Sequence, residues 1–174
     1  MRSRLYQPFY CEENVWQLCR REQGSPGVRT AVFIANALGT FPMWHQRAGR
    51  GRPVFWDYHV IVLSHEPSRI WDLDTTLGMP VPALHYLRQS FHEAVPAPYL
   101  PLFRLVAADV FLEAFASDRA HMLDAEGRYR EPPPPWPPIG ASPSNLARFI
   151  DMEQPFLGEV LTLREFVSRV GGET

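Results

Sequence analysis

Along residues 53–63 the side chains alternate, sending Val54, Trp56, Tyr58, Val60 and Val62 to one side and Phe55, Asp57, His59, Ile61 and Leu63 to the other, the period of a β-strand. The pattern pauses at Ser64-His65-Glu66-Pro67-Ser68, a turn-forming stretch, and resumes over residues 69–74 with Ile70, Asp72 and Asp74 on one face and Trp71 and Leu73 on the other. Together the two runs predict a hairpin. Residues 30–35 are apolar and β-branched and predict a buried strand; residues 102–107 predict another. Helical spacing replaces alternation over residues 11–22, where Val15, Leu18 and Cys19 share a stripe that Gly24-Ser25-Pro26-Gly27 ends. Further helices are predicted over 83–93, from 109 to 115, from a Ser144 cap through Met152, and from the capping box Thr162-Leu163-Arg164-Glu165 to Gly171. Strands interleaved with helices imply a layered α/β domain. Residues 131–138, with six prolines, predict polyproline II, which cannot join a sheet ladder and must wrap the surface or meet a partner.

Composition narrows the class. At 174 residues with 45% hydrophobic and 13% aromatic side chains, residues 1–174 form one expected domain with ample core material. The formal net charge is −2, and all 17 basic groups are arginines scattered along the chain, which argues against nucleic acid as a partner. The N-terminal Met1-Arg2-Ser3-Arg4-Leu5-Tyr6-Gln7-Pro8 lacks the apolar region of a secretory signal, and no run approaches the ~20 apolar residues of a membrane span. Cys11 and Cys19 on one helix would stand roughly 12 Å apart, beyond the roughly 7 Å a disulfide allows. Reduced thiols and a cytoplasmic setting are therefore expected. His45, His65, His85, His92 and His121 lack paired metal-ligand spacings, so no metal is expected. Ser117-Asp118-Arg119 reads as a helix terminus with a solvated ion pair.

Three residues carry candidate chemistry. Cys11 stands at a helix start, where the macrodipole favours thiolate while Glu12 and Glu13 oppose it. Cys19, inside the apolar stripe, reads as a core residue. His59 would be the base. A hairpin turn centred between His65 and Glu66 sets it opposite Asp72, and one centred on Glu66 and Pro67 sets it opposite Asp74; pairing rules leave both carboxylates open. A thiol, an imidazole and a carboxylate are the three parts of a thiol nucleophile site.

The words Tyr10-Cys11-Glu12-Glu13-Asn14, Pro53-Val54-Phe55-Trp56-Asp57-Tyr58-His59-Val60, Asp72-Leu73-Asp74-Thr75, Phe115-Ala116-Ser117-Asp118-Arg119-Ala120-His121-Met122 and Arg130-Glu131-Pro132-Pro133-Pro134-Pro135 resemble, in order, the protein N-terminal glutamine amidohydrolase family. The resemblance implies a monomeric three-layer α-β-α sandwich like papain-like and transglutaminase-like cysteine enzymes, with Cys11 as nucleophile, His59 as base and Asp72 as third member. It implies hydrolysis of an N-terminal glutamine of proteins or peptides to glutamate through a cysteine thioester, without cofactor, in the cytosol or nucleus, feeding arginylation and the N-degron pathway. The all-arginine composition suggests a bacterial relative, for which arginylation and a nucleus do not carry over. The short lead before Tyr10, a shorter hairpin turn and Gly78-Met79 after the aspartate word depart from the family without removing any of the three. Glu13, Asp57 and Asp118 are candidate acceptors for the substrate's α-ammonium, each equally readable as a helix-start or surface carboxylate, so the binding residues stay open. Two rivals remain: a thiol protease or transglutaminase using the same trio, and a non-enzymatic adaptor docking through its prolines.

Overall fold

The computed structural model describes residues 6–21 and 29–172; the predicted stop at Gly24-Ser25-Pro26-Gly27 lies outside them. The chain runs α1 (Cys11–Arg21), β1 (Arg29–Ala35), β2 (Phe41–Met43), β3 (Val54–Trp56), β4 (Tyr58–Ser64), β5 (Arg69–Trp71), β6 (Val81–Pro82), α2 (Ala83–Ser90), β7 (Leu102–Ala107), α3 (Ala108–Ala114), α4 (Leu146–Ile150), β8 (Glu159–Thr162) and α5 (Leu163–Gly171). Six strands form one antiparallel sheet in the order β6-β5-β4-β1-β7-β8, and β2 pairs with β3 apart from it. The fold is mixed α and β, with helices against both faces of the sheet.

Alternation along the strands explains the two covered faces. Val32, Ile34, Ile61, Leu63, Phe103 and Leu161 pack with Tyr86 and Leu87 of α2 and Phe166 and Val170 of α5. Ala31, Phe33, Val60, Val62 and Val106 turn the other way, against Val15 and Cys19 of α1, Phe111 of α3 and Phe149 of α4. On this second face Phe33 touches three more phenylalanine rings, Phe111, Phe115 and Phe149.

Two expectations change here. The long alternating run is broken at Asp57, whose Oδ1 accepts the N–H of Tyr58 at 2.9 Å; the half before the break pairs with β2, and only the half after it joins the main sheet. The hairpin closes with Ser64 opposite Arg69, the register that would set His59 opposite Asp74. That ladder ends at Val62 opposite Trp71, because the chain then turns through Asp72, whose own side chain caps the Asp74 N–H at 2.9 Å. The last helix has its expected capping box between Thr162 and Glu165. The short α4 is entered through Asn145 with no side-chain cap of its own; Ser144, one residue earlier, accepts the Leu146 N–H at 3.4 Å and donates to the Ala116 carbonyl.

The proline segment 131–138 adds no strand and lies along the molecule with Pro134 and Trp136 turned inward. Its carbonyls accept from Tyr10 Oη at 3.0 Å and Gln7 Nε2 at 2.9 Å, so it braces the start of α1. At Gly158, φ is 77° and a Cβ would strike the Leu105 carbonyl, so the entry to β8 requires glycine.

Arg104 occupies a β7 position on the phenylalanine face and is 1% exposed. Its guanidinium donates to the carbonyls of Phe149, Asp151, Gln154 and Leu157, tying the loop after α4 to the sheet. Truncation would orphan all four acceptors. Arg104→Ala is therefore expected to lower unfolding free energy by about 3–5 kcal/mol in chemical denaturation, and a loss below about 1 kcal/mol would show that the loop is held otherwise.

Candidate active site

The departure of β5 after Trp71 opens the edge of β4 at His59 and Val60. Into that opening α1 brings the thiol. Cys11 is the first residue of the helix, is 8% exposed, and takes a hydrogen bond from the Val60 N–H. Asn14 fixes the chain ahead of it, accepting the Gln7 N–H and donating to the Gln7 carbonyl, both at 2.8 Å. The predicted helix start at Cys11 is thus where the helix begins.

His59 and Asp72 are both 1% exposed, and Nε2 of His59 lies 3.0 Å from Oδ1 of Asp72. By register Asp72 stands diagonally from His59 on the same face, a reach long side chains span. Oδ1 also takes the Asp74 N–H, while Oδ2 takes Gln46 Nε2 at 2.9 Å and Tyr86 Oη at 2.8 Å. The His59 ring is stacked on Trp56, with centroids 5.6 Å apart and planes 10° from parallel. Asp74, the rival carboxylate, is instead bonded by the hydroxyl of Tyr6.

With Nε2 committed to Asp72, Nδ1 of His59 is the nitrogen left for the pocket. That pocket, of about 510 Å³, is lined by Cys11, Trp56, Asp57, His59, Asp74 and His121 among others, a size that holds an amino-acid side chain. Its electrostatics pull in two directions. Burial alone would discharge His59, yet the charge and hydrogen bond of Asp72, with Asp74 and Glu12 behind, raise its pKa above the usual histidine value. Asp72 is the mirror case: burial would raise it, and His59, Gln46 and the Asp74 N–H hold it below the usual carboxylate range. Burial pushes the Cys11 thiol well up, Glu12 and Asp74 push it further, and the Val60 N–H works against them. A thiolate here needs the proton to go to a neighbour, and His59 is suited to take it.

His59, Asp72 and Asp74 have ligand atoms within 4.8 Å of one another, the one group among the described residues with metal-ligand spacing. Their atoms already hold one another or Tyr6, which favours proton chemistry over a metal. Cys11 and Cys19 are both free thiols.

The candidate ammonium acceptors separate. Glu13 is fully buried, bonded by Arg119 Nε and Nη2 at 2.8 Å each and by Trp136 Nε1 at 2.7 Å, so it is a structural anchor. The Ser117-Asp118-Arg119 stretch is consequently no solvated ion pair: Arg119 is buried and adopts φ 65°, a conformation costing about 1 kcal/mol that its bidentate grip sustains. Asp118 accepts from Ala120 N–H, Ser144 N–H and Ser142 Oγ, which folds its own loop. Asp57 alone of the three lines the pocket. Sequence reasoning missed Gln46, Tyr86 and Trp56 as supports of the His59–Asp72 pair; no local pattern marks a residue whose role is to point at a distant carboxylate. It also passed over His121, which lines the same pocket.

A family model described as N-terminal glutamine amidase matches residues 6–170. The chain is 42% identical over 182 residues to protein N-terminal glutamine amidohydrolase of Bos taurus, covering 97% of this chain and 88% of that protein. The protein of the same name from Homo sapiens is 41% identical, covering 97% and 89%, and that from Danio rerio 40%, covering 96% and 89%.

The carboxylate beside His59 makes its titration testable. The ring is expected to titrate by NMR above the ordinary ~6.5, and its midpoint to fall in Asp72→Asn, because burial is then opposed only by the charges of Asp74 and Glu12. A midpoint unmoved by the substitution would show that Asp72 does not control the imidazole.

Proposed function

Because the chain belongs to the N-terminal glutamine amidase family, we propose that it hydrolyses the side-chain amide of an N-terminal glutamine in peptides or proteins, releasing ammonia and leaving glutamate. What supports the reading is the pocket that Cys11 and His59 share, with Nε2 of His59 taken by Asp72 so that Nδ1 is left for the thiol.

Nδ1 of His59 takes the thiol proton, and the Cys11 sulfur attacks the carboxamide carbon. The oxyanion that forms is met by backbone N–H groups at the start of α1. The His59 imidazolium returns its proton to the departing nitrogen, so ammonia leaves and a Cys11 thioester remains. Water, deprotonated by the now neutral His59, attacks the thioester carbon; glutamate leaves and the thiol regains its proton. Asp72 holds the ring in one tautomer and favours its charged form. We assign Asp57, the remaining candidate on the pocket wall, as an acceptor for the α-ammonium that distinguishes a terminal from an internal glutamine. In this reading the helix-borne thiol, the strand-borne His59 and Asp72 in the turn after β5 correspond to a papain-like or transglutaminase-like three-layer arrangement, in a single-domain monomer of the cytoplasm.

Mass spectrometry of a Gln-initiated peptide tests the proposal: a gain of about 1 Da with the intact protein, none with Cys11→Ala, and a rate lowered roughly 100-fold or more by Asp72→Asn are expected. Equal reaction at internal glutamine, or capture of an added amine in preference to water, would favour a transglutaminase instead. No ammonia from any glutamine peptide would overturn the enzymatic reading.

A further inference from the structure

A buried carboxylate beside a nucleophilic thiol works against the thiolate, because like charges a few ångströms apart in a dry site repel. Glu12 is such a group. It is fully buried, its Oε2 lies 3.7 Å from the Cys11 sulfur and accepts the Tyr58 hydroxyl at 2.9 Å, and no hydrogen bond from the described residues reaches its Oε1. The cation within reach of Oε1 is His121, whose Nε2 stands 3.5 Å from it and 3.2 Å from Tyr58 Oη. One proton arrangement satisfies all three: His121 Nε2–H donates to the Tyr58 oxygen, and Tyr58 O–H donates to Glu12.

The backbone is built to keep His121 there. Consecutive acids of α1 each hold one residue of the same loop, Glu13 gripping Arg119 and Glu12 facing His121, and the imidazole lines the pocket with its side chain 28% exposed. We propose that His121 is a positioning residue for the thiol: as an imidazolium it cancels the charge of Glu12 beside Cys11, so that the thiolate forms next to His59 against one fewer uncompensated carboxylate. The proposal rests on the reading of Cys11 as nucleophile and deepens it.

The charged groups around both residues are accounted for. Cys11 faces Glu12, Asp74 and Asp57, with His59 across the pocket. His121 faces Glu12 and Glu13 from α1, Asp57 and Tyr58 at the start of β4, and Arg130 and Glu131 on the pocket wall. Burial would discharge His121, but the facing carboxylate of Glu12, followed by Asp57 and Glu13, raises its pKa above the usual histidine value. The imidazolium is therefore favoured below that raised value, and its compensation is lost as pH climbs through it.

The thiol itself gives the readout. Alkylation by iodoacetamide across a pH series, resolved between Cys11 and Cys19 by peptide mass spectrometry, reports ionisation without needing turnover. His121→Gln is expected to move the Cys11 profile up by about one pH unit, roughly a tenfold slower reaction at neutral pH, while Cys19 stays put. Glu12→Gln is expected to move it down, and the double variant to reverse the loss. His121→Arg, which keeps the charge at every pH, is expected to stay at or below the parent and never to move the profile up, and its contrast with His121→Gln decides the matter even if a Glu12 variant does not fold. A His121→Gln profile superimposed on the parent, a His121→Arg profile shifted up as far as that of His121→Gln, or no reversal in a folded double variant would overturn the proposal. Ammonia release by Cys11→Ala, measured in parallel, would sink the nucleophile reading separately from this charge coupling.

Discussion

A carboxylate buried to 1% exposure has to be met by donors on every side, and Asp72 draws them from four parts of the chain. His59 comes from β4, Gln46 from the loop after β2, Tyr86 from α2, and an N–H from the turn that Asp72 itself begins. Each is needed because a buried ion left short of partners costs several kcal/mol, more than any one contact returns. The requirement reaches well beyond the pair. It fixes where β5 stops, since the chain must leave the ladder for Asp72 to turn inward. The gap left at the edge of β4 is the place where the Cys11 thiol finds the Val60 N–H.

The start of α1 obeys the same rule with opposite charges. Glu12 and Glu13 sit in the first turn, where the macrodipole favours acids, yet both are buried and so need more than a dipole. Glu13 is satisfied outright by Arg119 and Trp136, which fastens the proline segment and the 117–122 loop over the helix. The proline segment therefore belongs to the architecture of the pocket: the carbonyls of Glu131 and Pro132 hold the chain just ahead of Cys11. The loop, segment and helix start line the pocket together with His59, Asp74, Trp56 and α4.

Much of this was legible in the order of residues. Alternation marked β4, short apolar runs marked β1 and β7, helical spacing marked α1, and Thr162 with Glu165 marked the last helix, because those elements bury a face or satisfy their own ends locally. Index arithmetic allowed two registers for the hairpin. The one adopted would place Asp74 opposite His59, and yet Asp72 makes the bond, because the ladder ends three residues before the arithmetic would apply. Strand breaks of that kind are set by tertiary partners. So are β2, β6 and β8, which hold two to four residues each and are too short to show a period. Long-range partners were likewise invisible: nothing near Arg119 announces Glu13, more than a hundred residues earlier, and the arginine reads as solvent-facing until the acid is found.

The central claim is that one of two free thiols is a nucleophile whose target is a glutamine side chain bearing a free α-amine. A short peptide whose N-terminal glutamine carries a chloromethyl ketone in place of the carboxamide tests it directly, with the site of attachment read by peptide mass spectrometry. A single adduct on Cys11, none on Cys19, and none once the α-amine is acetylated is the predicted result. Attachment at Cys19, or equal labelling of Cys11 by the acetylated peptide, would contradict it.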